Sequence, residues 1–92
     1  MKNEIMKQLK NIYKSIAELN AYNKYRTNRT DLKKIAGVTS RVYLLSDIAD
    51  AARDEGIING DELNQITDKL SEALRQLTIL ENENLAEFNE LA

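Results

Sequence analysis

The sequence predicts an all-α protein, an antiparallel up-down-up three-helix bundle with coiled-coil-like seams. Its 92 residues include no proline and only three glycines, so few residues would interrupt a helix. Apolar residues recur at spacings of three and four in three separate stretches, which is typical of helices that pack on one side. We expect a single domain over residues 1–92, with dimerisation left open. The predicted helices span about residues 3–23, 31–55 and 60–90.

The first and third helices each carry one apolar seam. In the first helix Met6 and Tyr13 widen the seam, and the pattern fades after Tyr22. In the third helix the phase slips where Asn84 occupies the next seam position. The seam of the first helix consists of Ile5, Leu9, Ile12, Ile16 and Leu19. The seam of the third consists of Leu63, Ile66, Leu70, Ala73, Leu77 and Leu80, with Leu74 beside it.

The second helix carries two apolar rows. Thr30 suits its N-cap, and Asp31 follows in the first turn, where the helix dipole favours an acid. The main seam consists of Leu32, Ile35, Val38, Val42, Leu45, Ala49 and Ala52. A second row beside it consists of Leu44, Ile48 and Ala51. A helix that is apolar on two flanks is expected to be central, touching a helix on each side or a second subunit.

The connection between the second and third helices has the strongest local signals in the chain. Gly56 suits the C′ position, where glycine adopts the left-handed conformation at little cost, and Ile57 suits the apolar C″ contact. Asn59 and Glu62 have the spacing of a capping box. The accompanying hydrophobic staple would consist of Ile58 and Leu63. These signals predict a short turn between two antiparallel helices.

Composition excludes several kinds of chemistry. The chain has no cysteine and no histidine, so thiolate or imidazole metal ligands, disulfides, and Cys–His or Ser–His catalysis are absent. Its three glycines stand far apart and form no phosphate-binding loop. Asp47, Asp50 and Asp54 share one helix face, which we interpret as solvated rather than as a cation site. We expect no enzyme activity, no cofactor, no metal and no small-molecule substrate.

Charge is distributed unevenly along the chain. Residues 1–43 carry a net charge of +7 and residues 44–92 a net charge of −9, although the total is only −2. Such asymmetry predicts either an interaction surface or two halves that pack together. In the second case, the acids near the end of the third helix would neutralise the basic connection at residues 23–30, and Lys7, Lys10 and Lys14 would flank other acids of that helix. The acids near the end are Glu81, Glu83, Glu87 and Glu90.

A basic segment at residues 22–41 supports two alternatives. A helix-turn-helix would need a turn near Gly37, yet Ile35, Val38 and Val42 keep helical spacing across it, so a continuous helix is favoured. Gly37 would then mark a close helix crossing. A sequence-neutral nucleic-acid patch is the other alternative. Its residues would be Tyr22, Lys24, Tyr25, Arg26, Arg29, Lys33, Lys34 and Arg41.

The favoured function is that of a small non-catalytic interaction protein. It would act as an adaptor, inhibitor or regulator by binding a partner protein, a second copy of itself included; binding of nucleic acid is the alternative. The N-terminus lacks the apolar region of a signal peptide and no stretch is long enough to span a membrane, so we expect a cytoplasmic protein. Frequent Lys, Asn and Ile suggest a bacterial or phage origin. The predicted protein interface consists of Leu44, Ile48, Ala51, Leu85, Phe88 and Leu91. As an alternative, the last three would cover the connection at residues 23–30 as a cap on the core.

Overall fold

Three α-helices pack against one another in a computed structural model of the chain. The structure describes the backbone of residues 2–25 and 30–91 and the side chains of residues 2–21 and 32–84. Within these ranges there is no strand. The helices are α1 (Lys2–Tyr25), α2 (Thr30–Asp54) and α3 (Gly60–Leu91). All three predicted helices are confirmed to within two residues, and α2 begins at Thr30 itself, one residue earlier than predicted.

The core lies along the predicted seams. Every predicted seam residue of α1 is buried, as are those of α2 and α3 except Leu32 and Leu63, which are half-buried. Each helix contacts both of the others, so the three seams enclose one apolar core. The buried residues are Ile5, Leu9, Ile12, Ile16, Leu19, Ile35, Val38, Val42, Leu45, Ala49, Ala52, Ile58, Ile66, Leu70, Ala73, Leu77 and Leu80.

The end of α2 is fixed by a Schellman motif at Gly56. Gly56 has a φ of 76°, in the left-handed region. Its N–H donates to the carbonyl of Arg53 at 3.1 Å, and the N–H of Ile57 donates to the carbonyl of Ala52 at 2.9 Å. These two bonds satisfy carbonyls that the end of a helix leaves without intrahelical partners. The predicted glycine cap is therefore confirmed, although the Ile57 side chain stays 40% exposed.

The start of α3 is fixed by the predicted capping box. The N–H of Asn59 donates to Oε1 of Glu62 at 3.1 Å, and the N–H of Glu62 donates to Oδ1 of Asn59 at 2.8 Å. Ile58, just before the cap, is only 2% exposed, and Leu63 packs against the same core. The residues between the two helices are thus held by backbone bonds, by a side-chain cap and by burial of one isoleucine.

Helix α2 runs without a break through Gly37, so a helix-turn-helix at this point is excluded. The expectation that Gly37 marks a close helix crossing is wrong. A Cβ atom added there would meet nothing within 4 Å, and the residue is exposed. The glycine therefore leaves a hollow on the surface of α2 and does not serve the packing of α2 on its neighbours.

Leu80 is the last buried apolar residue of α3 among the side chains that the structure describes. Asn84 occupies the next core-facing position, is half-buried, and donates Nδ2–H to the carbonyl of Leu80 at 2.7 Å. The polar amide is satisfied within its own helix, so it closes the seam without leaving an unpaired polar group. Helix α3 has 32 residues and continues for about 10 Å beyond this point, at 1.5 Å per residue.

Substitution by alanine should distinguish Gly37, which is exposed within α2, from Gly56, which caps the end of α2. We expect Gly37→Ala to raise the free energy of unfolding by about 0.5–1 kcal/mol, because alanine is the better helix former and its Cβ meets no other group. We expect Gly56→Ala to lower it by about 1–2 kcal/mol, because the position requires positive φ. Urea denaturation followed by far-ultraviolet circular dichroism measures both. Equal shifts of the two variants in the same direction would contradict this description.

Candidate interaction surface

One side of α2 faces away from the bundle and carries apolar, small and charged residues. At 100° per residue, the helix directs its buried seam toward α1 and α3, and a second set of residues toward solvent. We call the part of this set between Ala36 and Ala51 the outer face of α2. Asp47 and Asp50 are its charged members, and Lys33 and Asp54 lie on the same side just beyond its ends. All of its residues are exposed. They are Ala36, Gly37, Ser40, Tyr43, Leu44, Asp47, Asp50 and Ala51.

Two large side chains stand out at the middle of the outer face. Tyr43 is 59% exposed and Leu44 is 60% exposed. Ile48, at the edge of the face, is half-buried and packs against the core. The other exposed large apolar residues, Met6, Ile57 and Ile79, lie on α1, on the connection and on α3. Single exposed apolar residues are common on protein surfaces, whereas two large ones on the solvent side of one helix suit a contact surface.

A hollow lies beside this pair, between α1 and α2. It is an open groove of about 410 Å³ above Gly37, and it is lined mostly by apolar surface. Arg41 borders it and donates Nη2–H to Oγ of Ser15 at 2.7 Å, which ties α2 to α1. The lining residues are Ser15, Leu19, Lys34, Gly37, Val38 and Arg41.

A second, more enclosed cleft lies between the N-terminal halves of α1 and α3. Its volume is about 280 Å³, and Met6, Leu9 and Ile66 are among the residues that line it. Lys2 Nζ forms an ion pair with Oε2 of Glu62 at its rim. The hydrogen bond from Lys2, and then the backbone N–H of Asn59, lower the pKa of Glu62. Because Glu62 also caps α3, these polar groups have a structural role.

A polar cluster on α3 borders α1. Arg75 donates two hydrogen bonds to the carboxylate of Glu72, at 2.9 and 2.5 Å, and Gln76 donates a third at 3.3 Å. These bonds, first those of Arg75, lower the pKa of Glu72 to about 2. The hydroxyl of Tyr13 donates to the carbonyl of Lys69 at 2.6 Å, and burial, with the nearby charge of Glu72, raises the pKa of Tyr13. This cluster joins α1 to α3.

Among the residues whose side chains the structure describes, three lysines of α1 do not pair with α3 in the way the sequence predicted. Lys7, Lys10 and Lys14 are exposed at spacings of three and four, and no ion pair joins any of them to a described residue. They form a row about 10 Å long on the outer side of α1. Lys2, nearer the start of the helix, makes the ion pair with α3 instead.

The structure places the predicted site residues in different parts of the molecule, and the side chains of several are outside the described ranges. Leu44 and Ala51 are exposed and Ile48 is half-buried, so these three lie at or beside the outer face of α2. Lys33 and Lys34 are exposed near the start of α2, and Lys34 interacts with other groups. The remaining predicted residues lie outside the described side chains. They are Tyr22, Lys24, Tyr25, Arg26, Arg29, Leu85, Phe88 and Leu91, together with the acids Glu87 and Glu90.

The sequence-based prediction overlooked Tyr43 and the hollow beside Gly37. Tyr43 belongs to neither apolar row, but it immediately precedes Leu44 and lies opposite the seam, which the helical period alone indicates. The hollow is formed in part by Ser15 and Leu19 of α1, so the local sequence around Gly37 does not predict it.

Metal and membrane sites find no support in the described part of the chain. Asp47, Asp50 and Asp54 are all exposed, and no group of three or more potential ligands among the described residues is arranged to hold a metal ion. Likewise, no helix, over the residues that could be searched, is both long and apolar enough to cross a membrane. Comparison with protein-family models, curated proteins and solved structures finds no match to this chain.

The stability of the protein should fall in mild acid. The folded state lowers the pKa of Glu62 and Glu72 below 4.5, so these carboxylates stabilise the fold when ionised. As the pH falls below about 4.5 the unfolded chain binds protons first, and the stabilisation is lost progressively down to about pH 2. Urea denaturation at a series of pH values between 2 and 6 measures this loss.

Two variants test whether the ion pair of Glu72 with Arg75 causes this pH dependence of stability. Glu72→Gln removes the titrating group and Arg75→Gln removes its main partner, so each should flatten the pH dependence between about pH 4.5 and 2. An Arg75→Gln variant with the slope of the original protein would contradict the assignment of the low pKa to this ion pair.

Proposed function

We propose that this chain is a small, non-catalytic helical protein that acts as an adaptor, inhibitor or regulator by binding a partner protein through the outer face of α2. The observation that carries the proposal is the exposure of two large side chains, Tyr43 at 59% and Leu44 at 60%, on the side of α2 that faces away from the bundle. Burial of such a surface in a partner is favourable because it removes apolar area from water.

The shape of the surface supports a protein partner rather than a small molecule. The outer face is convex and belongs to one helix, and the hollow beside it is shallow and open. Small-molecule sites are concave and enclose most of their ligand, whereas an apolar helix face suits a groove or another helix. The absence of histidine and cysteine from the sequence also favours binding over catalysis.

We also propose the up-down-up arrangement of helices and a cytoplasmic location. Two contacts between α1 and α3 support the arrangement: Lys2 pairs with Glu62, and further along both helices Tyr13 bonds to Lys69. Both pairs advance in the same direction, as they would if α2 alone ran the opposite way. The cytoplasmic location rests on the sequence alone.

A capture experiment tests the proposed function. The tagged protein, at low micromolar concentration, is incubated with a lysate of its own host, and retained proteins are identified by mass spectrometry. We expect Leu44→Glu to abolish retention of the partner, because a charge would replace the most exposed apolar side chain of the face. The matched control is Ile79→Glu on α3, which should retain the partner.

Circular dichroism establishes that both variants fold, as their exposed positions predict. If Leu44→Glu retains every protein that the original chain retains, the outer face of α2 is not the binding surface.

A second candidate function, nucleic-acid binding, is favoured by the row of lysines on α1. Lys7, Lys10 and Lys14 are exposed and make no ion pair with the described residues, so they are open to phosphate contacts. Lys33 on α2 is also exposed. This candidate predicts binding without base specificity, since the contacts would be made by ammonium groups to the backbone of the nucleic acid.

A salt titration tests the second candidate. If it holds, a fluorescent single-stranded DNA or RNA oligonucleotide binds at 50 mM salt, and replacing Lys7, Lys10 and Lys14 by glutamine reduces the slope of log K against log salt by about two to three. A control with Lys69→Gln on α3 should leave the slope unchanged. Lack of any binding at 50 mM salt would exclude this function.

A further inference from the structure

We propose that the partner of the outer face of α2 is the same face of a second copy, packed antiparallel. The two-fold axis would pass between the two α2 helices at the level of Ser40 and Arg41. The inference rests on the proposed function and specifies the occupant of the surface. A two-fold dimer needs a patch that is complementary to itself, so each feature must find its counterpart elsewhere on the same patch. The outer face has two such pairs of features.

The first pair consists of a projection and a hollow. Leu44 is the projection, 60% exposed on α2, and the groove above Gly37 is the hollow. They are separated by seven residues, which is two helical turns or about 10.5 Å along the axis. A two-fold axis midway between them sets Leu44 of each copy over Gly37 of the other, and the contact is made twice.

The hollow suits a leucine side chain. Nothing lies within 4 Å of the position that a Cβ of Gly37 would occupy, so a side chain from outside has room there. The groove is lined mostly by apolar surface and includes Leu19 and Val38. Ala36 and Ser40, exposed on the same face, are small, so two α2 helices can approach closely. Arg41, which is hydrogen-bonded to Ser15, and Lys34 also line the groove.

The second pair consists of opposite charges. Lys33 lies before the hollow and Asp47 lies after the projection, both exposed and both on the same flank of the helix. The same axis brings Lys33 of one copy level with Asp47 of the other. Their positions along the helix axis then differ by about one residue, or about 1.5 Å. Two ion pairs would form at the ends of the contact, whereas a parallel arrangement would set like charges side by side.

The contact is small, so the dimer should be weak. The face from Ala36 to Ala51 is about 24 Å long and one helix wide. The area that it can bury is at the low end of the range for specific interfaces. We expect a dissociation constant on the order of 10 μM, with rapid exchange between monomer and dimer.

Sedimentation velocity over 5 to 500 μM protein tests the inference. The original chain should pass from a 10.5 kDa monomer to a species of twice that mass. Leu44→Glu should remain monomeric at 500 μM, and Ile79→Glu should dimerise like the original chain. Gly37→Gln should also remain monomeric, because its side chain fills the hollow, although it makes the isolated fold more stable. A monomeric original chain at 500 μM, or an undiminished dimer of Gly37→Gln, would overturn the proposal.

Charge exchange tests the antiparallel register. Lys33→Glu and Asp47→Lys should each weaken the dimer at least threefold, because each sets like charges together at both ends of the contact. The double variant Lys33→Glu/Asp47→Lys should restore the affinity of the original chain. If the double variant is weaker than either single variant, the two residues do not face each other and the register is wrong.

The outcomes also separate this inference from the proposed function. If the chain is monomeric at 500 μM but retains a different protein in a manner that depends on Leu44, the inference fails and the proposed function stands. If neither self-association nor capture depends on Leu44, both fail.

Discussion

The connection between α2 and α3 is the constraint on which the rest of the structure depends. The positive φ of Gly56 ends α2, the reciprocal bonds of Asn59 and Glu62 start α3, and Ile58 between them is buried. Because both ends are held by directional bonds, the connection restricts how α2 can rotate relative to α3, and burial of the seams completes the restriction. That rotation determines which apolar row of α2 enters the core and which remains outside.

The outer face of α2 is a consequence of this rotation. Helix α2 carries more apolar surface than two neighbours in a three-helix bundle can cover, so one part of it is left exposed at Tyr43 and Leu44. The exposed part is not required by the core, which is complete through the seams. Large apolar side chains at exposed positions, where a polar residue would fold equally well, are the physical argument for a binding surface.

Much of the fold follows from local signals in the sequence. The seams, the glycine cap and the capping box each depend on residues within a few positions of one another, and the structure confirms them. The surroundings of Gly37 could not be predicted in the same way. Periodicity established that Gly37 lies within a helix, but what lies opposite depends on α1, and the expected close crossing proved to be open space. The ion pair of Glu62 with Lys2, rather than with a lysine further along α1, likewise depends on how the helices align.

We propose that two copies of this protein associate through the outer face of α2. The most direct measurement is a dilution series of ¹H–¹⁵N correlation spectra, recorded from 500 to 10 μM protein. We expect concentration-dependent chemical-shift changes confined to residues 33–51 of α2 and to the neighbouring Ser15 and Leu19. The changes should be largest at Gly37 and Leu44. Shifts centred on residues 61–84 of α3, or spectra that do not change with concentration, would contradict it.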